Sequence, residues 1–303
     1  MGVALPSRAA KAATPHGLRS SRMAWILLLP GLLYLGMFFL IPLVSLLITS
    51  VETLVPGTFD TYQYGFDLSA YQRVIVDYAP QIGRSFLYAL LATVFALLIS
   101  YPLAYFVGVR LRNRPLLQKL TLVLVVAPFF ISFLLRTIAW KQIFSDASPV
   151  MELVRGLFQL DPTFHFLGTP AAVVWGLTYN FIPFMTLPLY TSLERLDIRY
   201  IEAAGDLYAT PASVFRRVTL PLTMPGVISG TMLTFIPITG DYVNASRDFL
   251  GAPDTSMIGN MVQADFLQNA DYPAASALSA VLMAVILAII TFYVRRTGTE
   301  DLL

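Results

Sequence analysis

Residues 24–49 read AWILLLPGLLYLGMFFLIPLVSLLIT, an uninterrupted apolar stretch without one charged side chain. A helix of about 20 apolar residues crosses the roughly 30 Å hydrocarbon core of a bilayer. The stretch is longer than the roughly 7–15 apolar residues of a secretory signal, and no small-residue cleavage site closes it. We therefore predict that it is a retained transmembrane helix.

Five further apolar runs follow this one, at about 85–109, 120–138, 170–192, 221–243 and 273–294. The composition agrees, since 56% of the residues are hydrophobic and 13% are charged, against about 25% charged in a soluble domain. The sequence predicts an all-α integral membrane protein with six transmembrane helices. They form one domain over residues 23–296, between a basic tail at 1–22 and a short tail at 297–303.

Positive charges concentrate in alternate connecting segments. Fourteen of the 20 Lys and Arg residues fall on one side. They are Arg8, Lys11, Arg19, Arg22, Arg110, Arg112, Arg114, Lys119, Arg195, Arg199, Arg216, Arg217, Arg295 and Arg296. Because cytoplasmic loops carry the excess of Lys and Arg, this side and both termini are predicted to be cytoplasmic.

The opposite, outer side is predicted to be acidic. It holds twelve of the 18 Asp and Glu residues and the remaining six basic residues. An acidic outer mouth would raise the local concentration of a cationic solute. Sorting of positive residues to the inside also leaves the outside acidic, so the charge alone does not identify a solute.

The cytoplasmic segment 194–220 is predicted to form two short helices. Asp197 can cap the first, and Thr210 can cap the second ahead of a proline. An apolar stripe follows one face of the first helix: Ile198, Ile201 and Ala204. A helical pair with apolar faces at the membrane surface is suited to docking into a groove on a soluble partner.

The residues of this segment resemble the "EAA" coupling loop of permease subunits of ATP-binding-cassette (ABC) importers. The matching residues are Glu202, Ala203, Ala204, Gly205, Asp206, Leu207, Thr210-Pro211, Phe215, Val218, Leu220-Pro221 and Pro225-Gly226. The resemblance implies the type I importer permease fold. It also implies that the loop, above all Glu202 to Leu207, Phe215 and Pro221, couples the membrane helices to an ATPase. The family usually has glycine where this chain has Tyr208, which predicts a different turn or a bulkier docking face.

The same resemblance implies a set of partners. They are a second permease subunit, two copies of an ATP-binding subunit, an extracytoplasmic substrate-binding protein and the lipid bilayer of a bacterial inner membrane. None of the three lysines lies in a phosphate-binding G-x-x-x-x-G-K-[ST] loop. We therefore expect this chain to be no enzyme, with ATP and Mg on the partner ATPase and no cofactor of its own.

Metal and nucleic-acid binding are not expected. The chain has no cysteine, and its two histidines, His16 and His165, stand apart without a cluster of ligands around either.

The region beyond the loop is similar to the first permease subunit of spermidine/putrescine importers. The similarity lies in Phe235-Ile236-Pro237, Gly240-Asp241-Tyr242-Val243, Phe249-Leu250-Gly251, Met257-Ile258-Gly259-Asn260 and Phe266-Leu267. It implies a polyamine solute that moves by alternating access. Gly226 and Gly230 form a G-x-x-x-G pair, which indicates a close helix contact.

Five residues are candidates for the solute pathway: Asp241, Tyr242, Trp175, Tyr179 and Asn180. Asp241, near the outer end of the fifth span, can meet an incoming ammonium or stay hydrated. Tyr179 and Asn180 lie near the middle of the fourth span, where polar groups usually face the bundle interior. They can hold an ammonium by cation–π attraction or hydrogen-bond between helices.

Two alternatives stay open. The solute can instead be an anion, a ferric ion or another small organic molecule. An anion pathway should contain intramembrane Arg or Lys, and the mid-span segments show none. The chain can also be a secondary transporter or channel that works alone, although such proteins commonly show internal repeats and intramembrane acids, and neither is evident here.

Overall fold

The structure is a computed structural model, and it describes residues 20–55, 58, 61–159, 161 and 163–297. The predicted tails at 1–22 and 297–303 therefore fall mostly outside the described residues. The chain divides into two compact units, residues 1–48 and 49–303.

The first unit contains one long apolar helical run. Helix α1 (Ser20–Leu35) continues through a π-helical turn (Gly36–Leu40) into α2 (Ile41–Thr49). Trp25–Thr49 is long and apolar enough to cross a membrane. Pro30 lies inside α1 without ending it, as membrane helices tolerate.

The second unit is almost wholly helical. A two-residue antiparallel pair, β1 (Thr53–Leu54) and β2 (Tyr62–Gln63), opens it. Its helices are α3 (Ser69–Asp77), α4 (Ala79–Tyr105), α5 (Pro115–Val126), α6 (Phe133–Ile143), α7 (Pro149–Phe158), α8 (Pro170–Arg195), α9 (Arg199–Asp206), α10 (Pro211–Val214), α11 (Leu220–Leu222), α12 (Met224–Thr239), α13 (Ile258–Leu267) and α14 (Tyr272–Thr297). Two π-helical segments, Phe106–Arg110 and Phe215–Thr219, and two 3₁₀ turns, Ala127–Phe130 and Pro253–Thr255, complete the described elements.

The core of this unit is the packing of α4, α8 and α12 on one another. Small residues line the buried face of α4, with Ala89, Ala92 and Ala96 completely buried. They lie in the same apolar clusters as Leu177 and Met185 of α8. Small side chains let two helix backbones approach closely, which is how membrane helices gain packing without a hydrophobic driving force.

The predicted close contact at Gly226 and Gly230 is confirmed. A Cβ at Gly226 would lie 2.8 Å from the carbonyl oxygen of Pro188 and 2.7 Å from the Cβ of Ser192. A Cβ at Gly230 would lie 3.1 Å from the carbonyl oxygen of Met185. Helix α12 therefore touches the backbone of α8 at both positions, and no larger residue fits there without moving a helix.

The third predicted span, at 120–138, is not one straight helix. Helix α5 with its 3₁₀ turn (Pro115–Phe130) and α6 meet at an angle of 93°. The break falls where Ile131 and Ser132 adopt extended backbone conformations. Pro128 in the preceding turn has no N–H to donate, so the helical hydrogen-bond ladder is already interrupted there.

The fifth predicted span, at 221–243, has different ends. Leu220–Leu222 belongs to the second helix of the preceding loop, and Pro211–Leu222 meets α12 at 68°. Helix α12 ends at Thr239, so Asp241 lies beyond the helix and not within it. With each bent pair counted as one span, the described residues hold up to six candidate spans by length and composition.

A smaller group of elements packs at the end where α4 begins. Val74 of α3, Ile258 of α13 and Leu278 of α14 form one apolar cluster. The hydroxyl of Tyr78 donates to the buried Asp265 carboxylate over 3.1 Å. Burial and this neighbouring carboxylate raise the pKa of Tyr78 to about 12, so the hydroxyl remains a donor that ties α13 to the start of α4.

Candidate functional site

The turn between the two helices of the 194–220 loop is a Schellman motif. Tyr208 has a φ of 58°, its N–H donates to the Gly205 carbonyl over 2.9 Å, and the Ala209 N–H donates to the Ala204 carbonyl over 3.2 Å. The prediction of a different turn at Tyr208 is wrong, because the chain keeps the positive φ that glycine would adopt freely. The Tyr208 side chain is 97% exposed. Tyrosine in place of the family's usual glycine therefore gives the loop a bulkier exposed face.

The predicted caps of this loop are confirmed. The Asp197 carboxylate accepts from the Arg199 N–H over 3.0 Å, and the Thr210 hydroxyl accepts from the Ser213 N–H over 3.3 Å. Both bonds satisfy amides that a helix start would otherwise leave free.

The exposed surface of the loop is not the apolar stripe that the sequence predicts. Ile198, Ile201 and Ala204 are half-buried, since α9 packs against the second helix of the loop. The loop instead exposes a mixed surface, which we call the loop tip. It comprises Glu202, Ala203, Gly205, Asp206, Leu207 and Tyr208.

Arg112 attaches the loop to the rest of the unit. Its guanidinium donates to the Leu196 carbonyl over 3.0 Å, to the Leu193 carbonyl over 3.2 Å and to the Glu194 carbonyl. These are carbonyls at the end of α8, which have no partner within the helix. A basic group there also interacts favourably with the negative end of the helix dipole.

Phe215 connects the loop to α4. It begins the π-helical segment Phe215–Thr219 and packs edge-on against the ring of Tyr101, with centroids 5.3 Å apart. The Tyr101 hydroxyl in turn lies 2.7 Å from the hydroxyl of Thr223, which precedes α12. Pro221, the other predicted coupling residue of this helix, is exposed. Phe215 thus contacts α4 through Tyr101, and 41% of its surface stays exposed.

Two of the five predicted pathway residues meet in a buried polar network. The Asp241 carboxylate accepts from the Asn244 N–H over 2.8 Å and from its side-chain amide over 3.1 Å. The Asn180 amide donates to Asn244 Oδ1 and to the Thr137 hydroxyl, both over 3.2 Å. The network links α6, α8 and the segment after α12. Of the two roles that the sequence allowed for Asn180, the structure shows hydrogen bonding between helices.

Trp175 and Tyr179 lie elsewhere, on a cavity of about 430 Å³ that α4 and α8 enclose with Phe95, Ile99 and Thr178 among its walls. Trp140 of α6 packs edge-on against both, at 5.3 Å from Trp175 and 5.1 Å from Tyr179. Aromatic faces of this kind attract organic cations.

Tyr242 lies on a second cavity, of about 630 Å³, between α12, α13 and α14. The walls are mostly apolar, and Gln263 and Ser279 are the other polar side chains among them. The structure thus divides the five predicted pathway residues among three places.

Arg136 corrects the expectation that the mid-span segments hold no basic residue. It lies on α6, within the bent third span, and only 7% of its surface is exposed. Its Nε and Nη1 atoms are buried without a hydrogen-bond partner among the described residues. The sequence places Arg136 near a predicted helix end, and only the bend after Phe130 carries it into the interior.

Sequence reasoning also missed Arg112, Trp140, Thr137 and Asn244. For Asn244 a local signal exists, because Asp241 stands three residues before it, at the spacing of a capping interaction. The other three depend on contacts between helices, and no spacing along the chain indicates them. In the described part of the chain, no group of three His, Cys, Asp or Glu side chains is placed to hold a metal ion.

Helices long enough to span a bilayer, together with a capped helical loop whose tip is exposed, define the class of a multi-pass helical membrane protein. The sequence profile described as "Binding-protein-dependent transport system inner membrane component" matches residues 100–297. The chain belongs to this family, and it is therefore an inner-membrane transport component, the permease subunit of a binding-protein-dependent ABC importer.

Several named proteins are similar along most of the chain. The spermidine/putrescine transport system permease protein PotB of Haemophilus influenzae is 34% identical over 86% of this chain and 90% of its own length. PotB of Escherichia coli is 33% identical over 83% of this chain and 90% of its own. The sulfate transport system permease protein CysT of Salmonella typhimurium is 26% identical over 84% of this chain and 85% of its own.

Solved structures agree on the fold. A bacterial ABC transporter involved in the import of alginate matches with a TM-score of 0.70, over 93% of this chain and 98% of that one, at 16% identity. The methionine ABC transporter MetNI matches with a TM-score of 0.55, over 74% of this chain and 94% of that one, at 17% identity. The predicted all-α membrane fold of an importer permease is confirmed.

Proposed function

We propose that this chain is the permease subunit of an ATP-driven importer of polyamines such as spermidine and putrescine. The main support for a polyamine as the solute is the 34% identity to a spermidine/putrescine permease over 86% of the chain. The aromatic cavity at Trp175 and Tyr179 supports it, because a protonated amine gains about 0.5–2 kcal/mol from an aromatic face.

The loop tip is the surface that docks on the ATPase. Glu202, Ala203, Ala204, Gly205, Asp206 and Leu207 lie on or beside it, with Phe215 and Pro221 on the following helix. ATP and Mg bind to the ATPase, and this chain binds no cofactor. Closure of the ATPase moves the loop, and the Phe215–Tyr101 contact passes that motion to α4.

The assembly contains a second permease subunit, two ATPase copies and an extracytoplasmic binding protein. Both termini and the loop are cytoplasmic, as the charge distribution indicates. ATP drives import by favouring one of two conformations over the other. In that scheme Asp241, Tyr242, Trp175, Tyr179 and Asn180 border the solute pathway, with Asn180 and Asp241 in a positioning role through Asn244.

Uptake of labelled spermidine into proteoliposomes that hold all the subunits tests this function. We expect uptake that requires ATP and that falls at least tenfold in Glu202→Ala. Glu152→Ala, which makes the same change at an exposed position on α7, is the matched control and should transport normally. If the proteoliposomes take up another solute with ATP and take up no spermidine, the polyamine assignment is overturned. The assignment to the importer class would still stand.

A second solute class has one observation in its favour. Arg136 is a buried guanidinium without an anionic partner among the described residues, and a relative named as a sulfate permease is 26% identical. An anion or a carboxylate-bearing solute would neutralise it. The same proteoliposomes, loaded from outside with labelled sulfate or with a small dicarboxylate, distinguish this candidate from a polyamine.

A further inference from the structure

Helix α8 ends without the left-handed residue that closes many helices. Its last residue is Arg195, and Leu196 leaves it with an extended backbone (φ −63°, ψ 125°). The last carbonyls of a helix have no partner within the helix itself. The cytoplasmic loop begins at this end, so the direction in which it leaves the bundle depends on the groups that hold these carbonyls.

Arg112, from the α4–α5 connection (residues 106–114), holds this end of α8. Its guanidinium donates to the carbonyls of Leu193 and Glu194 in the last turn of the helix. It also donates over 3.0 Å to the carbonyl of Leu196, the first residue beyond the helix. A guanidinium suits this task because its donors lie in a rigid planar fork, which the ammonium of lysine lacks. One side chain thus caps α8 and fixes the start of the loop.

Two further contacts join the same part of the chain to α8. A Cβ at Gly108 would lie 3.1 Å from the Cβ of Leu193, so the connection packs closely on the helix. Gln118, in the first turn of α5, donates to the Tyr190 hydroxyl over 3.2 Å, and that hydroxyl donates to Glu194 Oε1 over 2.5 Å. Both contacts act on α8 itself, whereas Arg112 also holds the residue that follows it.

We propose that Arg112 is a positioning residue for ATP-driven transport, because it makes the start of the loop and the α4–α5 connection one rigid unit. This inference rests on the proposed function, in which closure of the ATPase moves the loop. The motion is then delivered to α5 as well as to α4. Without the guanidinium, the loop pivots about Leu196 and α5 stays behind.

Helix α5 leads to the candidate pathway residues. It is followed, after the bend, by α6. On α6, Trp140 packs edge-on against Trp175 and Tyr179, and the Thr137 hydroxyl accepts from the Asn180 amide. Coupling between two sites requires an element whose arrangement both sites bias. In this proposal that element is the rigid unit that Arg112 makes.

The yield of transport per ATP tests the role of Arg112. In the reconstituted importer, Arg112→Ala should lower spermidine uptake per ATP hydrolysed at least fivefold. The ATPase should still co-purify, because the loop tip is unaltered. Arg112→Lys should lower the ratio less, since it keeps the charge and loses the fork. Arg114→Ala removes the same charge from an exposed position of the same connection and should keep the wild-type ratio. A wild-type ratio in Arg112→Ala overturns the proposal.

Distances between spin labels test the rigid unit directly. The chain has no cysteine, so Asn113→Cys and Arg199→Cys, both at exposed positions, can be labelled in an importer whose other subunits carry none. With Arg112 intact, the distance should be the same without nucleotide and with a non-hydrolysable ATP analogue. In Arg112→Ala it should change when the analogue binds. A changing distance with Arg112 intact overturns the proposal, and so does a constant distance in Arg112→Ala.

The distance with Arg112 intact tests the proposal even where Arg112→Ala fails to assemble. It also requires no polyamine. Failure of wild-type spermidine uptake would therefore refute the proposed solute separately, and normal uptake by Glu202→Ala would refute the proposed docking of the loop tip.

Discussion

At the scale of single residues, Tyr208 shows how a substitution can keep a turn and change a surface. A residue other than glycine pays about 1–2 kcal/mol to occupy the left-handed region. The two hydrogen bonds of the Schellman motif hold Tyr208 there nonetheless, at a φ of 58°. The chain accepts local strain and gains a fully exposed aromatic ring at the loop tip.

Tyr208→Gly should therefore stabilise the turn by about 1 kcal/mol. The measurement is hydrogen exchange at the Ala209 amide, which donates across the turn. Exchange should slow about fivefold, since 1 kcal/mol changes such an equilibrium by that factor. Tyr208→Val is the control and should speed exchange, because a β-branched residue is strained at positive φ. Faster exchange in the glycine variant would contradict this account of the strain.

At the scale of elements, the second helix of the loop is tied to two membrane helices. Phe215 packs on Tyr101 of α4, and Tyr101 shares a hydrogen bond with Thr223 at the start of α12. Both links lie on the loop side of the bundle. Further along α12, Gly226 and Gly230 contact the backbone of α8. Direct contacts therefore link the loop to α4, α8 and α12.

Phe215→Ala should uncouple transport from ATP hydrolysis. An edge-on aromatic pair contributes about 0.5–1.5 kcal/mol beyond its buried area, so uptake per ATP hydrolysed should fall about fivefold. Leu222→Ala, at a 49% exposed position of the same helix, is the control and should keep the wild-type ratio. The ATPase should still co-purify with Phe215→Ala. Its loss would show that Phe215 belongs to the docking surface and does not transmit motion to α4.

At the scale of the whole molecule, the charge asymmetry predicts the orientation in the membrane. Single cysteines can report it, because the chain has none of its own. In cells that produce the chain alone, a membrane-impermeant maleimide should label Gln268→Cys, which is exposed at the end of α13. Glu202→Cys, exposed on the loop tip, should be labelled only after the membrane is permeabilised. The opposite pattern would reverse the topology and place the loop tip on the wrong side for an ATPase.

Much of the candidate site was predictable where its chemistry is local. The caps at Asp197 and Thr210 and the close approach at Gly226 follow from residue types at fixed spacing. The exposed face of the loop could not be predicted from the sequence. The apolar stripe of Ile198, Ile201 and Ala204 was expected to face a partner, but the contact between the two loop helices leaves it half-buried. The pathway residues were the least predictable. Trp175, Asn180 and Tyr242 fall in three environments that only helix packing separates.

The sequence by itself determined that this is a helical membrane protein with a capped two-helix loop of the importer family. Hydrophobic length, charge asymmetry and local hydrogen bonding act over a few residues, and each is readable along the chain. Only the tertiary structure decided where α5 and α6 bend, which face of the loop is exposed, and that Arg136 is buried with no anionic partner among the described residues. Those outcomes depend on contacts between helices that are far apart in sequence. The sequence places Arg136 near the end of a straight span, but the 93° bend between α5 and α6 puts it in the interior of the protein.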